Sequence, residues 1–263
     1  VVVMIEVTNL EFSIHKKQIL QQIQLKIPKN SFTVIMGANG AGKSTLLQLL
    51  AGSLVPTAGN IFMDGVDIQS MNAKQLAQKR AVLSQQYYLP FALTVREVVM
   101  MGRYPFFNNH PKPIDENIVD RSMQLLDVHD LSNTIYQHLS GGEAQKVQMC
   151  RVLAQILDAD EKNEKYLLLD EPVSQLDIKY QYQLMQIAKQ LTRQSVTVIA
   201  ILHDINLALP FADALHFIND GCLYASLHPP FQITDSLTKA VFGIGSMHLP
   251  IPNANYPFIY FQP

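Results

Sequence analysis

The chain has 263 residues, with 20 Lys and Arg against 22 Asp and Glu and a formal charge of −2 at pH 7. That length supports one large domain or a domain with an inserted subdomain, and the missing basic excess argues against a nucleic-acid partner. Cys150 and Cys222 lack metal-ligand spacing and suit a reducing compartment; no apolar run approaches a membrane span, and Val1-Val2-Val3 before Met4 is too short for a signal sequence.

Along the chain, Ile5 to Ile27 alternates and carries β-formers, as do Gly59 to Met63 and Val66 to Ile68 around the turn Asp64-Gly65. These predict an antiparallel layer. Between its two parts, Phe32-Thr33-Val34-Ile35-Met36 reads as a buried strand and Ser44 to Leu50 as a helix. They bracket Gly37-Ala38-Asn39-Gly40-Ala41-Gly42-Lys43-Ser44, followed by Thr45. The spacing G-x-x-x-x-G-K-[ST] predicts a phosphate-binding P-loop: glycines let backbone N–H groups close on phosphate oxygens, and the helix N-terminus faces the anion. Lys43 would neutralise β and γ phosphates and Ser44 would hold Mg²⁺. A glycine-rich turn is the bland alternative.

After the short strand Ala81-Val82-Leu83, Gln85 could reach Mg²⁺ or water through its amide. From Thr94 to Ala154 the pattern is helical, with Tyr104 to Pro113 expected as a proline-rich loop. Leu139-Ser140-Gly141-Gly142-Glu143 predicts a capping box for a helix from Ala144 to Leu157. Its Ser hydroxyl and two Gly N–H groups could equally form a second anion site. The charged stretch Asp158 to Lys165 reads as a solvated connector. Tyr166 to Leu169 then delivers Asp170 and Glu171 to the carboxyl edge of a sheet, where Asp170 could bind Mg²⁺ and Glu171 could deprotonate an attacking water. Strand Val196 to Leu202 ends at His203, placed to meet a γ phosphate, and further strands are expected at Ala214 to Ile218 and Cys222 to Ala225.

The order P-loop, Gln85, Leu139 to Glu143, Leu167 to Glu171, Ser174-Gln175-Leu176-Asp177, then His203 resembles the ATP-binding cassette (ABC) proteins from about residue 4 to 243. The resemblance implies an α/β P-loop NTPase fold. Its parts are a mixed central sheet, an antiparallel β subdomain (core and β parts about 4–86 and 160–243), an inserted helical subdomain (about 87–159) and a tail, 244–263. It also implies an ATPase using MgATP in a head-to-tail homodimer, in which Ser140, Gly141, Gly142 and Asp177 of one copy complete the site held by the other's P-loop. The aromatic that usually stacks on adenine is absent: Ile14 stands there, so base stacking is either weak or uses Phe12, two residues earlier on the same strand face. Val173 and Ser84 also depart from the family pattern, where Thr and Pro are usual.

Finer likeness lies in Arg80 to Gln85, Val98 to Arg103, Arg151 to Gln155 with its extended connector, and Leu202 to Ala208. These are similar to ATPases of iron-siderophore, cobalamin and haem importers, and the connector and tail most resemble those of haem import. Implied partners are a polytopic permease dimer, received in part by the aromatic and Met-rich segment 86–104, and indirectly a periplasmic solute-binding protein. The implied place is the cytoplasmic face of the inner membrane. A ferric-siderophore importer and a soluble, non-transport ABC ATPase are the alternatives.

Overall fold

The computed structural model describes residues 3–84, 89–158, 160, 162–252 and 254–262. In chain order its elements are β1 (Val3–Ile14), β2 (Lys17–Pro28), β3 (Phe32–Met36), α1 (Lys43–Leu50), β4 (Ala58–Met63), β5 (Val66–Asp67), α2 (Ala73–Lys79), β6 (Arg80–Leu83), α3 (Val95–Met100), α4 (Pro113–Leu125), α5 (Gly141–Ile156), β7 (Lys165–Asp170), α6 (Ile178–Leu191), β8 (Val196–Ile201), α7 (Ile205–Ala208), β9 (Ala214–Asn219), β10 (Cys222–Leu227), α8 (Asp235–Phe242), β11 (Gly245–Pro250) and β12 (Pro257–Gln262). They fall into two compact units, Val1–Met71 with Ile199–Pro263, and Asn72–Val198.

In the first unit, the antiparallel sheet runs in the order β2-β1-β4-β5. Its half-buried strands alternate as expected, with Leu20, Ile23, Leu25 and Ile27 turned inward. The β4–β5 turn uses Asp64 and Gly65, both at positive φ, which suits the right-handed twist of a hairpin. Ile68 belongs to a 3-10 turn, not to the strand. The second sheet places β9 between β10 and β3; β9 is antiparallel to β10 and parallel to β3, so this sheet is mixed. All five residues of β3 are buried, as a strand covered on both faces requires. The tail forms the hairpin β11–β12, held by Asn206: its Nδ2 donates to Ile259 O at 2.9 Å and its Oδ1 accepts from Ile259 N at 2.8 Å. Phe217, Phe242 and Phe261 stack edge to face behind it.

On β9, His216 is 3 % exposed, and its Nδ1 lies 2.8 Å from Ser226 Oγ. Burial, aided by the positive field of His228, pushes its pKa down to about 4. The unfolded chain binds a proton near pH ~6.5 that the folded chain refuses. The stabilisation is therefore full above that pH and is lost as pH falls toward the folded value. Urea unfolding at about pH 7.5 and about pH 5 is expected to differ by about 2 kcal/mol from this group. His216→Gln should flatten that difference, and an unchanged difference would place its origin elsewhere.

The second unit sets β7 between β6 and the start of β8, with β6 and β7 parallel and in register from Arg80 opposite Tyr166 to Leu83 opposite Leu169. Helices α3, α4 and α5 pack together through Val95, Val98, Val99, Val119, Met123, Val147 and Cys150, all fully buried. Two expectations need correction here. The proline-rich loop is present but shorter than expected: Met101–Phe106 is a 3-10 turn containing Pro105, residues 107–112 have neither helix nor strand, and Pro113 opens α4, where its missing N–H costs nothing. The charged connector is not merely solvated, because Lys165 is 1 % exposed and begins β7, and its Nζ meets Asp158 at 3.4 Å.

Candidate active site

In the first unit, β3 ends at Met36 and the chain turns through Gly37 to Gly42 into α1. Gly37 has φ +152°, and a Cβ there would lie 2.2 Å from Ile218 O, so the loop closes only with glycine. Gly42, at φ +102°, would bring a Cβ within 2.8 Å of Leu20, whereas Gly40 faces open space. The β9–β10 turn props this loop from behind, Gly221 N donating to Ala41 O at 3.1 Å. Ala38, Asn39 and Gly40 are exposed, while Lys43 is 6 % exposed. Its Nζ donates to Gly37 O and Ala38 O, both at 2.9 Å, so the ammonium is held inside the loop's curve. Ser44 and Thr45, half-buried, follow on the first turn of α1, whose N-terminus carries partial positive charge.

Leu202 N donates to Ile35 O at 3.4 Å, which sets β8 beside β3. The exposed His203 therefore leaves the sheet at the same carboxyl edge as the loop. Asp204 next to it caps α7. Phe12 is 8 % exposed and packs in the core, while Ile14 is 51 % exposed. Phe12 is thus not available to stack on a base, a correction to the expected substitute.

In the second unit, β7 carries Asp170 out at 7 % exposure, and Glu171 follows, half-buried, with φ +49°. A non-glycine residue in the left-handed region costs about 1 kcal/mol or more, which persists where the surroundings fix it. Carboxylate and hydroxyl oxygens, as at Asp170 and Ser44, are the hard donors that a small divalent cation prefers. The predicted capping box is present: Glu143 N donates to Ser140 Oγ at 3.4 Å, and Ser140 N donates back to Glu143 Oε2 at 2.9 Å. The hydrogen bonds from Ser140 hold the Glu143 carboxyl below its usual range. Helix α5 starts at Gly141, earlier than Ala144.

The two glycines have a reason beyond capping. A Cβ on Gly141 would stand 3.1 Å from Gln175 Oε1, and one on Gly142 3.3 Å from Gln175 O. Gln145 ties the same loops together, its Nε2 donating to Pro172 O at 2.6 Å and its Oε1 accepting from Gln175 N at 3.0 Å. Asp177 caps α6, its Oδ1 accepting from Tyr180 N at 3.0 Å. So Ser140 to Gly142, Glu171 to Ser174 and Asp177 form one continuous loop cluster of this unit. Sequence reading passed over Gln145, whose amide carries no motif signal, and took Gln175 only as part of the stretch Ser174 to Asp177. Gln85, and with it Gln86, Tyr87 and Tyr88, lies outside the described residues.

Still in this unit, a groove of about 540 Å³ is lined by Ala77, Val82, Met101, Tyr104, Pro105 and Arg151, among others. Tyr104 at its edge is 56 % exposed, and Phe91 elsewhere in the aromatic segment is 70 % exposed. Val95, Val98 and Val99 of that segment are core.

Residues 20–174 match the family described as ABC transporter. The chain is 37% identical over 257 residues to the hemin import ATP-binding protein HmuV of Rhizobium meliloti (strain 1021), covering 97% of each. It is 40% identical over 243 residues to the protein of that name from Bordetella bronchiseptica, covering 91% of this chain and 92% of the relative. Among solved structures, an inward-facing ABC transporter assigned to the metal-chelate type superposes with TM-score 0.78 at 26% identity, covering 99% of this chain and 97% of that one. A dimeric bacterial ABC transporter cassette superposes with TM-score 0.76 at 25% identity, covering 86% and 98%. The fold is the α/β P-loop fold of ABC ATPase cassettes.

Proposed function

The chain belongs to the ABC transporter family, and from that membership we propose that it is the ATP-hydrolysing subunit of a membrane importer whose cargo is haem. The carrying observation is that hemin import ATP-binding proteins align at 36% to 40% identity over nine-tenths or more of this chain. Among the described residues no helix is long and apolar enough to cross a membrane. Passage of the solute therefore falls to a separate permease dimer, with a periplasmic binding protein delivering cargo and this chain seated at the cytoplasmic face of the inner membrane.

On this reading ATP is the substrate, and a bound Mg²⁺ would supply positive charge against its phosphates. Backbone N–H groups from Gly37 to Thr45 cradle the phosphates, Lys43 turns its ammonium to them, and Ser44, Gln85 and Asp170 serve the cation. Glu171 accepts the proton of the attacking water, and His203 orients that water against the γ phosphate. Ser140, Gly141, Gly142 and Asp177 act across the dimer, presenting the α5 N-terminus to the γ phosphate bound by the partner copy. Two positive helix ends then share one polyanion, so ATP closes the dimer and hydrolysis releases it. The groove edged by Tyr104 receives a short permease helix.

Reconstitution of the chain with its permease in proteoliposomes tests the cargo. ATP-dependent uptake of haemin, with none of a ferric siderophore, is the expected result. The reverse preference would overturn haem as cargo, and failure to bind any permease would favour a soluble ABC ATPase.

A further inference from the structure

Behind the groove wall of the second unit lies a cluster of buried charge that no phosphate chemistry requires. Arg103, 3 % exposed on the 3-10 turn next to Tyr104, donates from Nε to Asp115 Oδ1 at 2.9 Å. Its Nη1 donates to Ala154 O at 2.8 Å and its Nη2 to Asp158 Oδ2 at 3.3 Å. The other oxygen of Asp158 faces Lys165 Nζ at 3.4 Å, and that ammonium donates to Gln78 O at 2.7 Å. The Phe106 ring is shared, with Arg103 Cζ 4.0 Å and Lys165 Nζ 4.5 Å from its centroid. Gln78 Nε2 closes the circuit by donating to Pro105 O at 2.8 Å.

The cluster touches a working part at each of two ends. Residues Met101, Tyr104 and Pro105 line the groove, and Lys165 is the first residue of the strand whose last is Asp170. Two cations and two carboxylates balance, yet a wholly apolar cluster of the same volume would commonly stabilise as well, so stability alone does not account for burying them. Burial lowers the Lys165 pKa on balance, and Asp158 opposes that fall. Asp158 is also the most accessible member, its side chain 27 % exposed against 3 % or less for Arg103, Asp115 and Lys165. It is one carboxylate bridging two fixed cations.

We propose that Lys165, through Asp158 and Arg103, is a positioning residue for ATP hydrolysis: the bridge fastens the groove wall to β7, so that a helix seated in the groove sets the placement of Asp170 and Glu171. This rests on the reading of the groove as the permease seat. Paired in register with β6, β7 moves as one element, and its six residues carry a displacement at Lys165 to the carboxylates at its far end.

The test compares the isolated chain with its permease complex, measuring kcat and KM for ATP together with unfolding temperature. Asp158→Asn and Lys165→Met should keep the permease bound and leave the isolated chain's kcat and KM within about twofold. The permease-stimulated part of kcat should fall about tenfold, the range of ordinary allosteric coupling. Lys165→Arg should recover most of the stimulation. Full stimulation in both variants would overturn the proposal, as would a parallel fall of both rates with unfolding temperature, which marks a purely structural staple. Wild-type protein that binds its permease without stimulation would overturn the groove reading itself, and is scored before any variant.

Discussion

Glu171→Gln is expected to lower ATP turnover by at least about a hundredfold, the range assigned to a positioned general base, while leaving nucleotide binding intact. The amide keeps the size of the side chain and should tolerate the same backbone, which at φ +49° is the unusual feature of this position. What it loses is a site for the proton of water. A dimer that closes on ATP and opens on hydrolysis should then remain closed, so size-exclusion chromatography with saturating MgATP should convert the variant to a stable dimer. Single-turnover phosphate release gives the rate. Normal turnover would remove Glu171 from the proposed base role, and a monomeric variant under saturating MgATP would sink the shared-site scheme.

The P-loop was legible because its spacing is local, between five buried residues in β3 and a helix starting at Lys43, whereas the contact with Ile218 O that demands Gly37 was not. The Ser140 cap was equally legible, since both of its hydrogen bonds span three residues. Phe12 was misread because parity alone does not set exposure along a strand. Ile14 is the last residue of β1, paired with the exposed Lys17 at the hairpin end, and is 51 % exposed, while Phe12, paired with Leu20, is buried. The connector was misread for another reason. A run of charges looks solvated in composition, and only tertiary structure brings Arg103 to Asp158 across 55 residues and buries Lys165 beside it. Helix α6 carries a plain 3.6-residue pattern in Leu184, Met185, Ala188 and Leu191, overlooked beside the motif that precedes it.

Lys43→Ala should weaken ATP affinity by about a hundredfold or more, because two charge-assisted hydrogen bonds to phosphate contribute roughly 1.5–3 kcal/mol each, net of the bonds to water that they replace. The fold should survive. Lys43 sits in the first turn of α1, where alanine is a better helix former, and its ammonium donates to Gly37 O and Ala38 O within the loop. Arginine is not expected to substitute, since a planar guanidinium is wider than the ammonium that fits against both Gly37 O and Ala38 O at 2.9 Å. Thermal unfolding separates binding from folding: saturation at a hundred times Kd adds about 2.7 kcal/mol to the native protein. At that same ATP concentration the variant should gain far less, with an apo unfolding temperature close to that of the native chain. Equal stabilisation by ATP in both proteins would move the phosphates away from Lys43 and with them the whole assignment of this loop.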